Sequence, residues 1–490
     1  MTVYENSKNF QKDITIIGGG LVGASIATMF LRRFKEHFSN AADSLPSVTL
    51  NIVDPAKEIG PGMPYSAYGD NEADYAIFLN NQPGSRMSFD PHDPMEFCRF
   101  INPQDPESER HKFHSRLDTG LYVKASLKEA VEALERANIN VNLRHLQAKA
   151  SKIEATDSGF RYALDDGSEQ RQTDILVVSD GHQLSGFLKE YRDQPDFFDT
   201  PYNIQAVRDV LSGHQQDDIA IIGTGQSSVD VHTVLNHIGF EGRRFMFSRS
   251  NVHPWEFKPE EHPVESDQKP YQFKFLTPDA VSDLVLPTRE DLSLMLNLEI
   301  AAAAFEQQGK GHVLAKLELS GIEKALNGNE QNRMLFNAFK QQVKSLYGNP
   351  TPKVRYEMLQ DLRKNGRILD IQQAVNVHNM SRDENGYVFD TKDGPLKVRA
   401  VFNTATLARA GLDADGVAFS PLLAELNGKN LIKPDPDRPE SFICGQQDNK
   451  KLYLACGPST STEKWGVETF REGNSRIASQ LIEDITCQYA

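Results

Sequence analysis

The chain has 490 residues, of which 39% are hydrophobic and 25% charged, and its formal net charge is −15 at pH 7. This composition is typical of a globular protein with room for two or three domains, whereas the acidic balance argues against a nucleic-acid groove, which needs clustered Lys and Arg. No apolar run approaches the roughly 18 to 20 residues of a membrane span, and the polar N-terminus lacks a signal-peptide core, so we expect a soluble cytoplasmic protein.

The N-terminal segment predicts a strand, a glycine turn and a helix. An apolar run at residues 13–17 leads into the turn, which has the pattern Gly18-x-Gly20-x-x-Gly23. In this pattern the first glycine makes the turn, the second lets the backbone approach a pyrophosphate, and the third allows helix and strand to pack closely. Free N–H groups at the helix start then bind phosphate.

The next strand, predicted over residues 48–53, ends at Asp54. A carboxylate at this position can accept hydrogen bonds from an adenosine ribose and disfavours a 2′-phosphate, so FAD or NAD fits the first site. The gap from the glycines is about thirty residues against roughly twenty in the usual fingerprint, and the polar loop 39–47 accounts for the excess. The alternative is a glycine-rich turn that binds nothing.

A stretch rich in turn formers and amides follows over residues 58–97. Its segment 60–65 reads Gly-Pro-Gly-Met-Pro-Tyr, and Asn80, Met87 and Ser88 come after it. Such a stretch suits the isoalloxazine ring of a flavin, which needs backbone and amide hydrogen bonds. A structured loop without flavin contact is the alternative.

A second strand, turn and helix are predicted about two hundred residues later, where the apolar run 218–222 precedes a second turn. The strand predicted at 244–248 ends next to Arg249, which is suited to pair with a 2′-phosphate, and no acid competes there. NADPH is therefore preferred over NADH, and Arg243 and Arg244 are further candidates for the same role. The alternative is that Arg249 is a solvated surface charge. The residues of the second turn are Gly223, Thr224, Gly225, Gln226, Ser227 and Ser228.

The two halves continue in parallel, because each carries an Asp-Gly hairpin signal, at residues 165–167 and 392–394, followed by an apolar strand, at 173–179 and 398–402. This repetition predicts an α/β fold of two nested Rossmann-like dinucleotide-binding domains. We expect an FAD-binding domain at 1–205, an NAD(P)-binding domain at 206–410 with a helical elaboration at about 284–364, and a return segment of the FAD-binding domain at 411–490.

Histidines and cysteines supply no conspicuous catalytic cluster. Cys98, Cys444, Cys456 and Cys487 lack a C-x-x-C pair, which argues against disulfide reductase chemistry. His182 and His253 are candidates for a place near a cleft between the domains, with a structural role favoured for each. The run Glu260-Glu261-His262 is read as a solvated turn, and no metal site is predicted.

The chain resembles bacterial FAD/NAD(P)-binding oxidoreductases related to the flavin-dependent N-hydroxylating monooxygenases that modify lysine or ornithine. The resemblance covers nearly the whole length and implies FAD in the first domain and NADPH in the second. Family members often end both late strands in an Ala-Thr-Gly-like sequence, whereas this chain has Ser179-Asp-Gly181 and Asn403-Thr-Ala-Thr406, and no diamino-acid site can be mapped onto it. The resemblance rests on the two glycine turns with Asp54, the loop residues 60–65 and 80–88, Leu454-Ala-Cys-Gly457-Pro458, and Trp465-Gly-Val-Glu468.

This resemblance implies that Gly457 and Trp465 also contact a cofactor. The expected reaction is reduction of FAD by NADPH, followed by reaction with O₂ to a flavin C4a-hydroperoxide that oxygenates a small soft nucleophile, such as the nitrogen of an amine or amino acid. Catalytic side chains stay unassigned, and a homo-oligomer is compatible with the sequence. The alternatives are an FAD-containing NAD(P)H dehydrogenase that oxygenates nothing and a non-catalytic nucleotide-binding partner protein.

Overall fold

The computed structural model describes a defined part of the chain, which falls into two compact units. Unit 1 contains the described residues up to Glu190 and from residue 420 onward, and unit 2 runs from Tyr191 to Ala405. The domain boundaries given above stay predictions. The described residues are 11–39, 46–66, 71–167, 170–181, 184, 187–248, 253–256, 272–306, 313, 317, 319–326, 329–347, 350–372, 377–405, 420–435, 438–444, 451–455 and 467–489.

Unit 1 is built on a five-stranded parallel sheet. Its central strand pairs with both neighbours so that Ile14 lies opposite Leu50 on one side and Ile175 on the other. The strands carry nearly continuous apolar runs because both faces of the sheet are covered. Across the sheet they lie in the order β20 (Lys451–Leu454), β7 (Ile175–Val178), β1 (Gln11–Ile17), β2 (Ser47–Val53) and β3 (Val141–Leu146).

Three long helices cover one face of this sheet, and a small antiparallel sheet covers the other. The helices are α1 (Leu21–Phe38), α4 (Arg116–Arg136) and α13 (Val467–Tyr489), and α1 packs against both of the others. The antiparallel sheet consists of β4 (Ala150–Thr156), β5 (Gly159–Leu164) and β6 (Arg171–Thr173), with α12 (Pro421–Gly428) packed against it. Further elements are α2 (Glu72–Tyr75), α3 (Glu96–Ile101), β18 (Ile432–Asp435), β19 (Arg438–Cys444), and the short 3₁₀ helices Gly84–Arg86, Pro106–Glu109 and Lys189–Tyr191, the last of which ends at the first residue of unit 2.

Unit 2 repeats this plan. Its parallel sheet has the order β8 (Phe197–Phe198), β17 (Ala400–Asn403), β9 (Ile219–Ile222), β10 (Arg244–Ser248) and β13 (Ile368–Gln372). An antiparallel sheet again precedes the returning strand and consists of β14 (Ser381–Asp383), β15 (Gly386–Thr391) and β16 (Gly394–Val398). The helices of this part are α5 (Ile204–Leu211), α6 (Gln226–His237) and α11 (Lys353–Lys364).

The helical elaboration forms a separate apolar core within unit 2, centred on buried residues such as Leu292, Leu296 and Phe339. Its helices are α7 (Pro278–Ser282), α8 (Arg289–Phe305), α9 (Leu319–Ala325) and α10 (Glu330–Tyr347), and the two-residue strands β11 (Trp255–Glu256) and β12 (Pro350–Thr351) flank this region in sequence. Among the described residues, no helix is both long and apolar enough to cross a lipid bilayer.

The backbone hydrogen bonds around the two parallel sheets show an internal duplication. In each unit the glycine after the first strand donates to the end of the next strand, and the residue after the returning strand donates back to the first strand. The four bonds are Gly18 N to Val53 O at 2.8 Å, Ser179 N to Ile17 O at 2.7 Å, Gly223 N to Phe247 O at 2.9 Å and Thr404 N to Ile222 O at 2.9 Å.

Two strand predictions are corrected by the structure. The runs 173–179 and 398–402 are not continuous, because each is divided where the chain leaves the antiparallel sheet and joins the parallel one. At these breaks the N–H of Asp174 donates to Asp13 O at 2.9 Å, and the N–H of Arg399 donates to Asp218 O at 2.7 Å. Apolar periodicity could not reveal a change of partner strand in the middle of a run.

A buried ion pair joins two helices of unit 2. Arg355 on α11 places Nη1 3.0 Å from Asp230 Oδ1 on α6, and both side chains are almost fully buried. The hydroxyl of Tyr202 also donates to Asp230 at 3.0 Å. Because α6 begins at the second glycine turn, this pair helps to set the position of that turn.

Replacing Arg355 by Met is expected to destabilise the protein by about 3–5 kcal/mol, since it leaves the Asp230 carboxylate buried without its cation. The urea midpoint of unfolding, followed by circular dichroism, measures the effect. The double variant Asp230→Leu/Arg355→Met should recover part of the loss, because it removes both charges. A single variant that unfolds at the wild-type urea concentration would show that the pair contributes nothing.

Candidate functional site

The first glycine turn connects β1 to α1 and is too tightly packed for side chains. Gly18 has φ +94°, and a Cβ there would overlap the carbonyl oxygen of Ser179. A Cβ on Gly23 would overlap the carbonyl oxygen of Gly18. The structure therefore requires glycine at both positions for the reasons that the sequence pattern predicts.

The start of α1 is suited to bind an anion. Gly20 is the N-cap residue, no side chain caps the helix, and no acidic residue lies in its first turn. The first N–H groups of a helix have no partner within the helix, and the helix dipole favours negative charge there. This cradle fits the phosphates of a dinucleotide.

Asp54 lies beside this turn, at the end of β2. Its Oδ2 accepts a hydrogen bond from the N–H of Gly19 at 2.6 Å, and its Oδ1 accepts one from the N–H of Ala56 at 2.8 Å. Each carboxylate oxygen keeps a further lone pair, which is available to a ribose hydroxyl. The carboxylate thus supports the glycine turn, and its predicted contact with ribose stays a prediction.

Ser179 is a supporting residue that the sequence analysis did not assign to the site. It follows β7 and is buried, and its Oγ lies 2.9 Å from Ile17 O and 2.7 Å from Gly18 O. The hydroxyl therefore satisfies carbonyl groups at the point where the backbone turns. In the sequence, the one feature that pointed to Ser179 was its departure from the Ala-Thr-Gly-like sequence that family members often have at this position.

The loop at residues 60–65 closes against the glycine turn. The N–H of Gly60 donates to Gly19 O at 2.8 Å, and a Cβ on Gly62 would lie 3.0 Å from the Cα of Gly20. On the other side, a Cβ on Gly120 of α4 would overlap the carbonyl oxygen of Tyr65. The loop is therefore held between the turn and α4.

Asn80 anchors the loop to the start of α4. Its Nδ2 lies 3.0 Å from His114 O, 3.1 Å from Ser115 O and 2.9 Å from Thr119 Oγ1, and the side chain is buried. The amide donors are therefore used within the protein, so a flavin contact by Asn80 would have to involve its carbonyl oxygen.

Met87 and Ser88 lie in the same part of unit 1. Ser88 Oγ donates to Pro94 O at 2.8 Å and accepts from the N–H of Phe97 at 3.1 Å, so its hydroxyl supports the start of α3. Met87 is buried, and both residues line a cavity that reaches Leu21, the first residue of α1. The structure thus brings these predicted flavin contacts and the first glycine turn to one cavity.

The second glycine turn has the same form. Gly223 has φ +106°, and a Cβ there would lie 2.6 Å from Thr404 Oγ1. Gly225 is the N-cap residue of α6, again without a side-chain cap or an acidic first turn. Ser228 replaces the third glycine and is buried, and its Oγ donates to Gly225 O at 2.6 Å.

Helix α6 begins with Gln226 and Ser227, and both residues are half-buried. This exposure is expected for a helix start that can receive a ligand. The turn is also tied to the end of β10, because Thr224 Oγ1 lies 3.2 Å from Ser248 Oγ. Arg249 comes next and lies outside the described residues, as do Gly457, Trp465 and His182.

Arg243 and Arg244 are wrong as candidates for a 2′-phosphate. Both lie at the amino end of β10, whereas the glycine turn lies at the carboxyl ends of the strands. Arg243 pairs with Asp218, and Arg244 is fully buried, with Nη2 2.7 Å from Asn236 Oδ1. Burial lowers the pKa of Arg244 to about 9, which is consistent with a guanidinium held inside the protein.

His253 has structural partners in unit 2. Its Nε2 lies 3.2 Å from Asp370 Oδ1, and its Nδ1 lies 2.7 Å from Arg363 Nη2. In the part of the chain that the structure describes, no three His, Cys, Asp or Glu side chains come together as ligands for a metal ion. Cys98 is a free, buried thiol, and burial raises its pKa to about 11, which makes it a poor nucleophile.

Comparison with known proteins agrees with this geometry. Residues 15–183 match a protein-family model described as FAD-NAD(P)-binding, and this range contains the first glycine turn, Asp54 and Ser179. Unit 1 thus contains a dinucleotide-binding domain of this type. No curated protein matches the chain at a significant level.

Solved structures with the same fold include one lysine monooxygenase and two ornithine hydroxylases. The L-lysine 6-monooxygenase of Pseudomonas syringae has a TM-score of 0.57 and 13% sequence identity, over 96% of this chain and 99% of the other. The reduced ornithine hydroxylase of Pseudomonas aeruginosa has a TM-score of 0.54 and 12% sequence identity, over 96% of this chain and 99% of the other. The ornithine N-hydroxylase of Kutzneria sp. 744 was solved with reduced FAD, NADP⁺ and L-ornithine. It has a TM-score of 0.53 and 12% sequence identity, over 98% of this chain and 100% of the other.

At these identities the likeness concerns the fold. It confirms the predicted α/β architecture with Rossmann-like dinucleotide-binding domains, and it confirms at the level of the fold the resemblance to lysine and ornithine N-hydroxylating enzymes. The match of residues 15–183 independently supports the nucleotide-binding part of the prediction.

Replacing Gly23 by Ala tests the close packing of the first turn. We expect a loss of about 1–3 kcal/mol, since the new methyl group would overlap the Gly18 carbonyl oxygen and displace α1. Thermal unfolding of the apoprotein measures this effect. Gly428→Ala on α12 is the control, because its Cβ would meet nothing within 4 Å. Equal melting temperatures for the two variants would contradict the packing argument.

Proposed function

We propose that the protein is a flavin-dependent oxidoreductase that binds FAD in unit 1 and NADPH in unit 2, and that it oxygenates a small nucleophile such as an amine nitrogen. The observation that carries this proposal is the duplicated strand, glycine turn and uncapped helix start in two separate units. Two dinucleotide sites in one chain suit a protein that passes electrons from one cofactor to the other.

The assignment of FAD to unit 1 is supported by Asp54 and by the loop at residues 60–65. A carboxylate at the end of the second strand accepts ribose hydroxyl groups and repels a 2′-phosphate, which favours FAD or NAD over NADP. The loop at residues 60–65 and the apolar side chain of Met87 lie next to the same turn and offer backbone and apolar groups, which are the kinds of contact that an isoalloxazine ring makes.

The assignment of NADPH to unit 2 is supported by the end of β10. The strand ends at Ser248 where unit 1 has Asp54, so no carboxylate repels a 2′-phosphate, and the next residue is Arg249. Arginine binds phosphate through two parallel hydrogen bonds. The ornithine N-hydroxylase of Kutzneria sp. 744 binds FAD and NADP⁺ within the same fold, which supports a pair of these cofactors.

FAD, when bound, supplies hydride acceptance and, in its reduced form, reaction with O₂. The residues of this chain have other tasks. The helix start after Gly20 binds phosphate, Asp54 orients the ribose, and the loop at residues 60–65 covers the turn and restricts access of water. In unit 2, the start of α6 holds the phosphates of the second dinucleotide.

Oxygenation of a nitrogen is favoured over reduction of a disulfide. The four cysteines include no C-x-x-C pair, and the described Cys98 is buried with a raised pKa. A substrate amine needs only to be held near the reduced flavin in a site that excludes water, so the absence of an obvious nucleophile from the sequence motifs is consistent with this chemistry.

The experiment that tests the function is reduction of the FAD-loaded protein under anaerobic conditions, followed by reoxidation in air with candidate amines. We expect NADPH to reduce the flavin faster than NADH. A true amine substrate should increase NADPH consumption and lower the hydrogen peroxide released per NADPH, with a hydroxylamine as product. Rapid reduction with complete conversion of O₂ to peroxide, whatever amine is added, would instead favour a dehydrogenase. Failure of both nicotinamides to reduce the flavin would indicate a non-catalytic protein.

Asp54→Ala should weaken FAD binding by about ten- to a hundredfold, because a charge-assisted hydrogen bond is worth roughly 1.5–3 kcal/mol and the Gly19 N–H loses its acceptor. Quenching of FAD fluorescence by the apoprotein gives the dissociation constant. Asp157→Ala, at an exposed position in unit 1, is the control and should bind as wild type does. An unchanged constant for Asp54→Ala would remove Asp54 from the site.

Arg249→Ala should raise the KM for NADPH by about tenfold or more through loss of a charge-assisted pair with the 2′-phosphate, while the KM for NADH is unaffected. Steady-state oxidation of each nicotinamide measures this selectivity. Arg243→Ala is the matched control, because that side chain lies at the opposite end of β10 and pairs with Asp218. An equal loss for both nicotinamides would refute the 2′-phosphate assignment.

A further inference from the structure

Helix α8 in unit 2 carries apolar side chains on two faces. One face packs into the core of the helical elaboration through Leu292, Leu296 and Ala303. The other is exposed to solvent, where Leu294 is 59% and Phe305 91% exposed. This second face, which we call the α8 face, consists of Leu294, Leu298, Ala301 and Phe305.

The exposed apolar surface extends beyond the amino end of α8. Val285 and Leu286 come just before its N-cap residue Thr288, and they are 93% and 82% exposed. Together with the α8 face they expose apolar surface on the order of 600 Å², counting about 100–200 Å² for each fully exposed large side chain. Patches above a few hundred Å² mark interaction sites, and a standard protein interface takes about 800 Å² from each partner. This surface therefore suffices for the apolar centre of a protein–protein interface.

The α8 face is also uncharged. From Ser293 to Phe305 the sequence has one charged residue, Glu299, which lies on the buried face and accepts the N–H of Leu276 at 2.8 Å. A neutral stretch of about 18 Å along an exposed helix face is unusual in a chain of which 25% is charged. Two copies with a net charge of −15 repel one another, and this repulsion is weakest at an uncharged face. A basic partner would instead favour an acidic surface.

The spacing of the α8 face suits pairing with an identical helix. Its residues follow one another at intervals of 4, 3 and 4, which read the same in both directions. In an antiparallel pair about a twofold axis, Leu294 of one copy therefore lies opposite Phe305 of the other, and Leu298 lies opposite Ala301. The small alanine leaves room for the leucine, so the helices approach closely, and their dipoles run in opposite directions.

We infer that the α8 face binds the α8 face of a second copy of this chain, as an antiparallel helix pair in a symmetric dimer. This inference goes beyond the proposed function, since it concerns assembly and does not depend on which cofactors bind. The sequence does not single out this face, because the apolar residues of both faces occur in one run and only packing separates them.

The test is analytical ultracentrifugation of the full-length protein over a range of micromolar concentrations. We expect wild type to form a dimer. Leu294→Glu and Phe305→Lys should each weaken the dimer by about tenfold or more, because each buries a charge against an apolar side chain. Val354→Glu is the matched control and should leave the dimer unchanged, because Val354 is a 61% exposed apolar residue on another helix of unit 2. The circular dichroism spectrum of each variant should match that of wild type, since the replaced side chains are exposed.

A titration of one variant with the other tests the antiparallel arrangement. In the mixed dimer the introduced glutamate lies opposite the introduced lysine, while the second pair keeps Leu294 against Phe305. Fluorescently labelled Leu294→Glu should therefore bind Phe305→Lys about tenfold more tightly than it binds wild type. Tighter binding to wild type would overturn the antiparallel pair.

Other occupants of the α8 face give different results, and each would overturn the inference. A monomeric wild type, with Leu294→Glu melting at a lower temperature than Val354→Glu, would show that a segment of the same chain covers the face. Monomers that bind phosphatidylcholine vesicles, with binding lost in Leu294→Glu, would assign the face to a membrane. Variant dimers as stable as that of Val354→Glu would place the interface elsewhere. The proposed function stands or fails separately, by reduction of the flavin.

Discussion

The close approach of α1 to the glycine turn is the constraint on which the rest of unit 1 depends. Gly23 lies against the carbonyl oxygen of Gly18 with no room for a side chain. This contact fixes the direction of the helix, and among the described residues no side chain caps its first N–H groups. Asp54 from the next strand, Gly60 from the covering loop and Ser179 from the returning strand all bond to the same short turn. The turn that is predicted to hold phosphate is therefore fixed by bonds within the protein, and such preorganisation lowers the ordering cost of binding a ligand.

The duplicated unit shows which parts of this plan can vary. In unit 2, Ser228 takes the place of the third glycine, and its hydroxyl donates a hydrogen bond to Gly225 O within the first turn of α6. Thr404 takes the place of Ser179, and its hydroxyl donates to Ile222 O. The backbone pattern survives these changes because each replacement is small and bonds locally. What differs is the charge at the end of the second strand, where unit 1 has Asp54 and unit 2 has Ser248. One architecture can thus present two sites with different preferences for a 2′-phosphate.

The arginines of the chain show why charge alone does not identify a phosphate site. Arg244 and Arg355 are buried and bonded to Asn236 and Asp230, respectively, so their guanidinium groups serve the packing of unit 2. Arg243 is exposed and pairs with Asp218 at the amino end of β10.

The order of strands, glycine turns and hairpins could be predicted from the sequence, because these features depend on residues close together in the chain. Gly18, Gly20, Gly23 and Asp54 belong to this group, as does the repetition of the pattern around Gly223. Tertiary structure alone decided which side chains face the cavity and which are consumed by packing. The amide group of Asn80 donates to residues at the start of α4, and Arg244 is buried in the interior of unit 2. The Ser179 hydroxyl bonds to the carbonyl oxygen of Gly18, which is 161 residues away in the sequence. Local patterns set the backbone, whereas burial and hydrogen-bond partners arise from contacts between distant segments that no local pattern contains.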